Sequence, residues 1–133
     1  MAGSTAAHPL TGSSAYVVLA SQSFEALVAF YGAFLGQDPY PHQPQRYAEF
    51  TWGGLRLGIF QPQADHAAEF QAHRGGAMSL CLEVVDLDQA IAHLNHLGHP
   101  PPGPLLTASH GREIYAYDPE GNRLILHQSA APP

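Results

Sequence analysis

Glu83 and His127 are a carboxylate and an imidazole, types that serve as general acid and base once folded into one site. The plainer alternative pairs Glu83 with an Arg and leaves His127 at a strand end. His93, His96 and His99 have the look of a metal cluster. However, His93 and His96 fall off the apolar stripe of their segment, which reads as a solvated helix face. Cys81 suits a small buried hydrophobe better than a nucleophile, because no neighbouring signal lowers its pKa. In His110-Gly111-Arg112 the guanidinium could clamp an anion or simply cover the surface. All five cations are Arg, so chemistry that needs a Schiff-base or phosphate-loop lysine is excluded.

The elements that must position these residues occur twice. Asp118-Pro119-Glu120-Gly121-Asn122 is a turn: Pro presets φ, Gly tolerates positive φ, and Asp118 and Asn122 can bond their own backbone. Arg123 to Gln128 then alternates, with Leu124 and Leu126 on one face and Arg123, Ile125 and His127 on the other. Gly53 to Gln61 repeats this stretch at an offset of 67 residues, matching Gly54 with Gly121, Arg56 with Arg123, Leu57 with Leu124 and Gln61 with Gln128. Upstream, Tyr16 to Ala20 leads into a helix from Phe24 to Leu35-Gly36, and Ser79 to Val84 into one from Leu87 to Leu97-Gly98. Ser23 and Asp86 suit N-caps, and Gly36 and Gly98 the left-handed C-terminal position. Leu87, Ile91, Leu94 and Leu97 form the apolar stripe of the second helix.

Between these landmarks, residues 37–45 read as a Pro-containing loop, and Arg46–Trp52 with Leu55–Phe60 as a hairpin. Residues 63–76 read as the linker between unit one (14–62) and unit two (77–128). His99–Pro104 is a stiff extended segment, and Leu105–Ser109, Glu113–Tyr117 and Arg123–Gln128 complete the second sheet. Residues 1–13 read as a flexible segment and 129–133 as a tail.

A chain of 133 residues, 45% apolar, holds one compact domain. Only 12% of residues are charged, about half the usual fraction. The formal net charge of −6 argues against a nucleic-acid partner, which wants a basic face. No apolar run could span a bilayer and no signal-peptide core precedes the first strand, so no membrane is expected. A single Cys cannot form an internal disulfide, and the expected location is cytoplasmic.

A strand, Asp86-Leu87-Asp88, a helix closing at Leu97-Gly98, then Asp118 to Asn122 and a final strand is similar to the vicinal oxygen chelate superfamily. That superfamily includes glyoxalase I, extradiol dioxygenases, fosfomycin-resistance enzymes and bleomycin-binding proteins. The resemblance covers about residues 14–128 and is more specific for fold than for function. It implies an α+β fold: two βαβββ units with mixed sheets curled into a cup, helices outside and the ligand inside. Strand parity then places Val17, Leu19, Leu80, Leu82, Val84, Leu124 and Leu126 under the helices. Tyr16, Val18, Ala20, Arg56, Gly58, Phe60, Ser79, Cys81, Glu83, Arg123, Ile125 and His127 would face the cup.

The superfamily's metal enzymes hold their ion on the first and fourth strand of each unit. The resemblance puts those positions at Tyr16, Gly58, Ser79 and Ile125, which lack the His, Cys, Asp or Glu that a divalent ion needs. The expectation is therefore a cup without metal or cofactor that binds a small organic, possibly anionic molecule, as the bleomycin-resistance proteins do. Tyr40, Tyr47, Trp52 and Phe60 would supply stacking surfaces at the rim, and Arg56, Arg112 and Arg123 positive charge. Tyr115 and Tyr117, beside the turn, would bind or pack. Two alternatives stand: a metal-dependent lyase, isomerase or dioxygenase, and a metal-independent enzyme using Glu83 and His127. A homodimer is expected, because the sheet edges need cover.

Overall fold

The computed structural model describes residues 9–10, 12–71 and 76–130. Most of the expected N-terminal segment and the end of the tail lie outside the described residues. The order is β1 (Val17–Ala20), α1 (Phe24–Leu35), β2 (His42–Gln43), β3 (Tyr47–Trp52) and β4 (Leu55–Phe60), then a 3-10 helix (Ala64–Phe70). Then follow β5 (Ser79–Glu83), α2 (Leu87–His96), β6 (Leu106–Ala108), β7 (Gly111–Tyr117) and β8 (Arg123–Ser129). The fold is α+β, with two four-stranded mixed sheets ordered β1-β4-β3-β2 and β5-β8-β7-β6. In each sheet the first strand runs parallel to the last of its unit, while the remaining pairs are antiparallel. The expected 37–45 loop contains β2, and the expected linker contains the 3-10 helix.

Local chemistry explains the boundaries. Gly53 and Gly54 take φ of 58° and 84°, the two left-handed positions that a tight hairpin demands. Gly36 closes α1 in the left-handed region, its N–H bonding the Gly32 carbonyl. Asp86 caps α2 by accepting from the Gln89 N–H at 3.1 Å. Ser23 corrects the matching expectation: its side chain makes no cap bond. Instead, its own N–H donates to Ser21 Oγ at 2.9 Å.

One core joins both units. Phe24, Leu27, Phe30 and Tyr31 of α1 and Leu87 and Leu94 of α2 are buried with Leu57, Ile59, Leu82, Leu124 and Leu126 from the sheets. Val17, Leu19, Leu80 and Val84 pack against it, as parity requires. His93 is not the solvated residue expected on the second helix: its Nε2 bonds the Ala33 carbonyl at 2.9 Å, and its ring stacks on Phe34. His99 meets Phe30 edge-on at 5.0 Å. These contacts dock the α2 segment on α1. The sheet faces away from the helices are left to carry the site.

Candidate functional site

The open face of the first sheet is held by a polar network. Glu49 accepts from Arg56 Nε at 2.8 Å and Nη2 at 3.0 Å, and from the Tyr47 hydroxyl at 2.7 Å. The Arg56 guanidinium lies 4.3 Å from the Tyr16 ring centre. Gly58 makes room for this arrangement, since a Cβ there would sit 2.6 Å from the Tyr47 hydroxyl oxygen. The Arg56 and Tyr47 hydrogen bonds hold the Glu49 carboxyl below its ordinary range. Burial, then the bond to Glu49, pushes the Tyr47 phenol up to about 12. Arg56, expected to meet a ligand anion, is thus already matched by Glu49. Sequence reasoning passed over Glu49, although its alternation with the buried Ala48 and Phe50 marks it as open-face.

Beyond this network lies a hollow of about 770 Å³ at the end of β4. Tyr47, Phe60 and Phe70 give it rings, Gln43 and Gln61 amides, and Arg46 a positive charge. Phe60 and Phe70 meet edge-on at 5.0 Å. Among the described residues no carboxylate lies within ion-pair distance of Arg46.

The second sheet fills the matching places differently. In the first unit Phe60 is flanked across the sheet by Ala20 and Tyr47. In the second, His127 takes the place of Phe60, flanked by Glu83 and Glu113. The row across β5, β8 and β7 is therefore carboxylate, imidazole, carboxylate. His127 Nδ1 stands 2.7 Å from both oxygens of Glu83. That contact puts the ring proton on Nδ1 and leaves the Nε2 lone pair bare when the ring is neutral. Nε2 faces His110 Nδ1 at 3.0 Å. Gly111 lets the β6–β7 turn close this far: its φ is 141°, and a Cβ would collide with the Gln128 carbonyl.

The remaining expected residues divide by face. Cys81 is exposed rather than buried. Partial burial of its thiol, then the charges of Glu83 and Glu113, push its pKa up, so it is a poor nucleophile. Ser79 and Arg123 meet at 3.1 Å, and Arg123 also donates to the Gly76 carbonyl at 2.7 Å. Ile125 is half-buried between Cys81 and Tyr115. Arg112 is not brought to this face: it turns to the helix side, 3.6 Å from Asp88 and 3.2 Å from Gln128 Oε1. Trp52 packs, partly buried, against the core, whereas Tyr40 is exposed. Glu83 contacts His127 and not an Arg. Tyr16, Gly58, Ser79 and Ile125 present no imidazole or carboxylate, so a divalent ion does not fit at those four positions.

The model of the glyoxalase-like domain family matches residues 16–127. No functionally curated protein matches in sequence. Among solved structures, a glyoxalase-related enzyme from Fulvimarina pelagi is 22% identical with a TM-score of 0.70, covering 90% of this chain and 89% of its own. A glyoxalase/bleomycin resistance protein from Catenulispora acidiphila is 24% identical with a TM-score of 0.63, covering 89% and 97%. A mutant of the fosfomycin resistance protein FosX from Listeria monocytogenes, in complex with Mn(II) and dihydroxypropylphosphonic acid, is 17% identical with a TM-score of 0.67, covering 89% and 90%. Identities this low speak for the fold alone.

Proposed function

The chain belongs to the glyoxalase-like domain family, within the vicinal oxygen chelate superfamily, and from that membership we propose that it binds a small, partly aromatic organic molecule. The observation that carries this reading is the hollow of about 770 Å³ beside Phe60, within the size range of small-molecule sites. Three rings offer stacking and desolvation, while the glutamine amides offer both donors and acceptors. An anionic group on the ligand would meet Arg46 rather than Arg56, whose charge Glu49 already balances. A thermal-shift screen of neutral and acidic aromatic metabolites would supply the ligand. Calorimetry would then compare Phe60→Ala and Arg46→Ala with His96→Ala on the far helix. Losing the stack or the charged contact should weaken binding by about 1–3 kcal/mol. Unchanged affinity in both hollow variants would remove the reading.

A second reading rests on the 2.7 Å contact of Glu83 with His127. A carboxylate holding Nδ1–H leaves the Nε2 lone pair free to take a proton from a bound substrate. Turnover that survives chelator and is abolished by Glu83→Gln would establish it.

A further inference from the structure

The row on the second sheet offers the His127 Nε2 lone pair a use that excludes its service as a proton acceptor. The reactive atoms of His110, Glu113 and His127 all lie within 4.8 Å of one another. Glu113 and His127 are directly opposed on adjacent strands, and His110 reaches over from the β6–β7 turn. We propose that His127 Nε2, His110 Nδ1 and the Glu113 carboxylate form a binding site for a divalent first-row transition metal, with Glu83 orienting His127. The site is independent of the hollow on the first sheet and lies two residues beyond Ile125 along β8.

Four features point to a cation. First, Glu83 accepts from the Nδ1–H of His127 and so turns the Nε2 lone pair toward the cluster, the carboxylate–histidine–metal arrangement. Second, the spacing is close to what a metal needs. Two nitrogens about 2.0–2.1 Å from a tetrahedral ion stand about 3.3–3.4 Å apart, and these stand 3.0 Å apart, so the rings need to open only slightly. Third, the charge is unbalanced. Among the described residues no Arg lies within ion-pair distance of Glu83 or Glu113, and Arg112, next in sequence to Gly111, pairs on the opposite face with Asp88. Two carboxylates around two imidazoles favour a positive guest. Fourth, the backbone is shaped for the approach of His110, because only Gly at position 111 clears the Gln128 carbonyl and His127 Nε2.

The donor set selects the guest. Two imidazoles and a carboxylate suit Zn²⁺ and its first-row neighbours rather than Mg²⁺ or Ca²⁺, which prefer all-oxygen cages. Three protein ligands leave a tetrahedral position open to water or to an oxygen of an organic ligand.

The test uses untagged, chelator-stripped protein titrated with Co²⁺, read by the visible absorption of the bound ion and by Zn²⁺ competition. One equivalent should bind with the intense spectrum of a four-coordinate site. His110→Ala, at an exposed turn residue, should weaken binding by at least ~100-fold, and His127→Gln should do the same. Glu83→Gln, which leaves all three ligands in place, should weaken it by about 10–100-fold. His96→Ala should change nothing. Circular dichroism checks that each variant is folded, and His110→Ala alone decides should His127→Gln fail that check. Binding weaker than millimolar, or affinity unmoved by His110→Ala, overturns the proposal.

Discussion

The Tyr31 hydroxyl donates to Asp118 Oδ2 at 2.7 Å, a buried bond between residues 87 positions apart. It ties α1 of the first unit to the β7–β8 turn of the second. The same carboxylate accepts from the Glu120 and Asn122 backbone N–H groups and from Asn122 Nδ2, at 2.8–3.0 Å. One ion therefore shapes a turn and docks a helix. Burial, then the Asp118 charge, raises the Tyr31 pKa far above the usual phenol range, so the proton stays in place at working pH.

Tyr31→Phe should destabilise the fold by about 1.5–3 kcal/mol, because it removes a hydrogen bond to a charge and leaves part of that charge unmatched. Urea unfolding with an unchanged slope checks this. A loss below about 0.5 kcal/mol would mean that water replaces the hydroxyl.

The network on the first sheet predicts both ends of the pH profile. The Glu49 carboxyl is held below its ordinary value by Arg56 and Tyr47, so its stabilisation is complete above about 4.5 and is lost as pH falls through the lowered value. Glu49→Gln should flatten the acid limb of stability against pH. Tyr47 is raised, so its contribution is complete below 10.0 and disappears as pH climbs to about 12. Ultraviolet titration should find one phenol with a midpoint near 12, and Tyr47→Phe should remove it. A Tyr47 that titrates with the exposed phenols contradicts the network.

The chain should be a homodimer. Neither four-stranded sheet closes on itself, and Tyr16, Val18, Met78 and Val85 expose apolar surface around β1 and β5. Light scattering at micromolar concentration should give twice the 14.3 kDa chain mass. A single-chain mass there would refute the dimer.

The amino-acid sequence by itself determined the repeat, the strand and helix order and the face of most side chains. These follow from local signals: alternation along Leu124 to His127, paired glycines at 53 and 54, and a capping Asp86 three residues before the Gln89 N–H it binds. The partners of charged side chains needed the tertiary structure. Strand parity puts Arg56 and Glu83 on the open face, but not which neighbour each meets. That depends on register, which brings Glu49 to Arg56 within one hairpin and His127 to Glu83 across strands 44 residues apart. Arg112 went to the helix face because it alternates with Glu113 and shares the parity of the buried Ile114 and Ala116 along β7. The hollow beside Phe60 is equally invisible in the sequence, since it exists only where a 3-10 helix from the linker folds back over the end of β4.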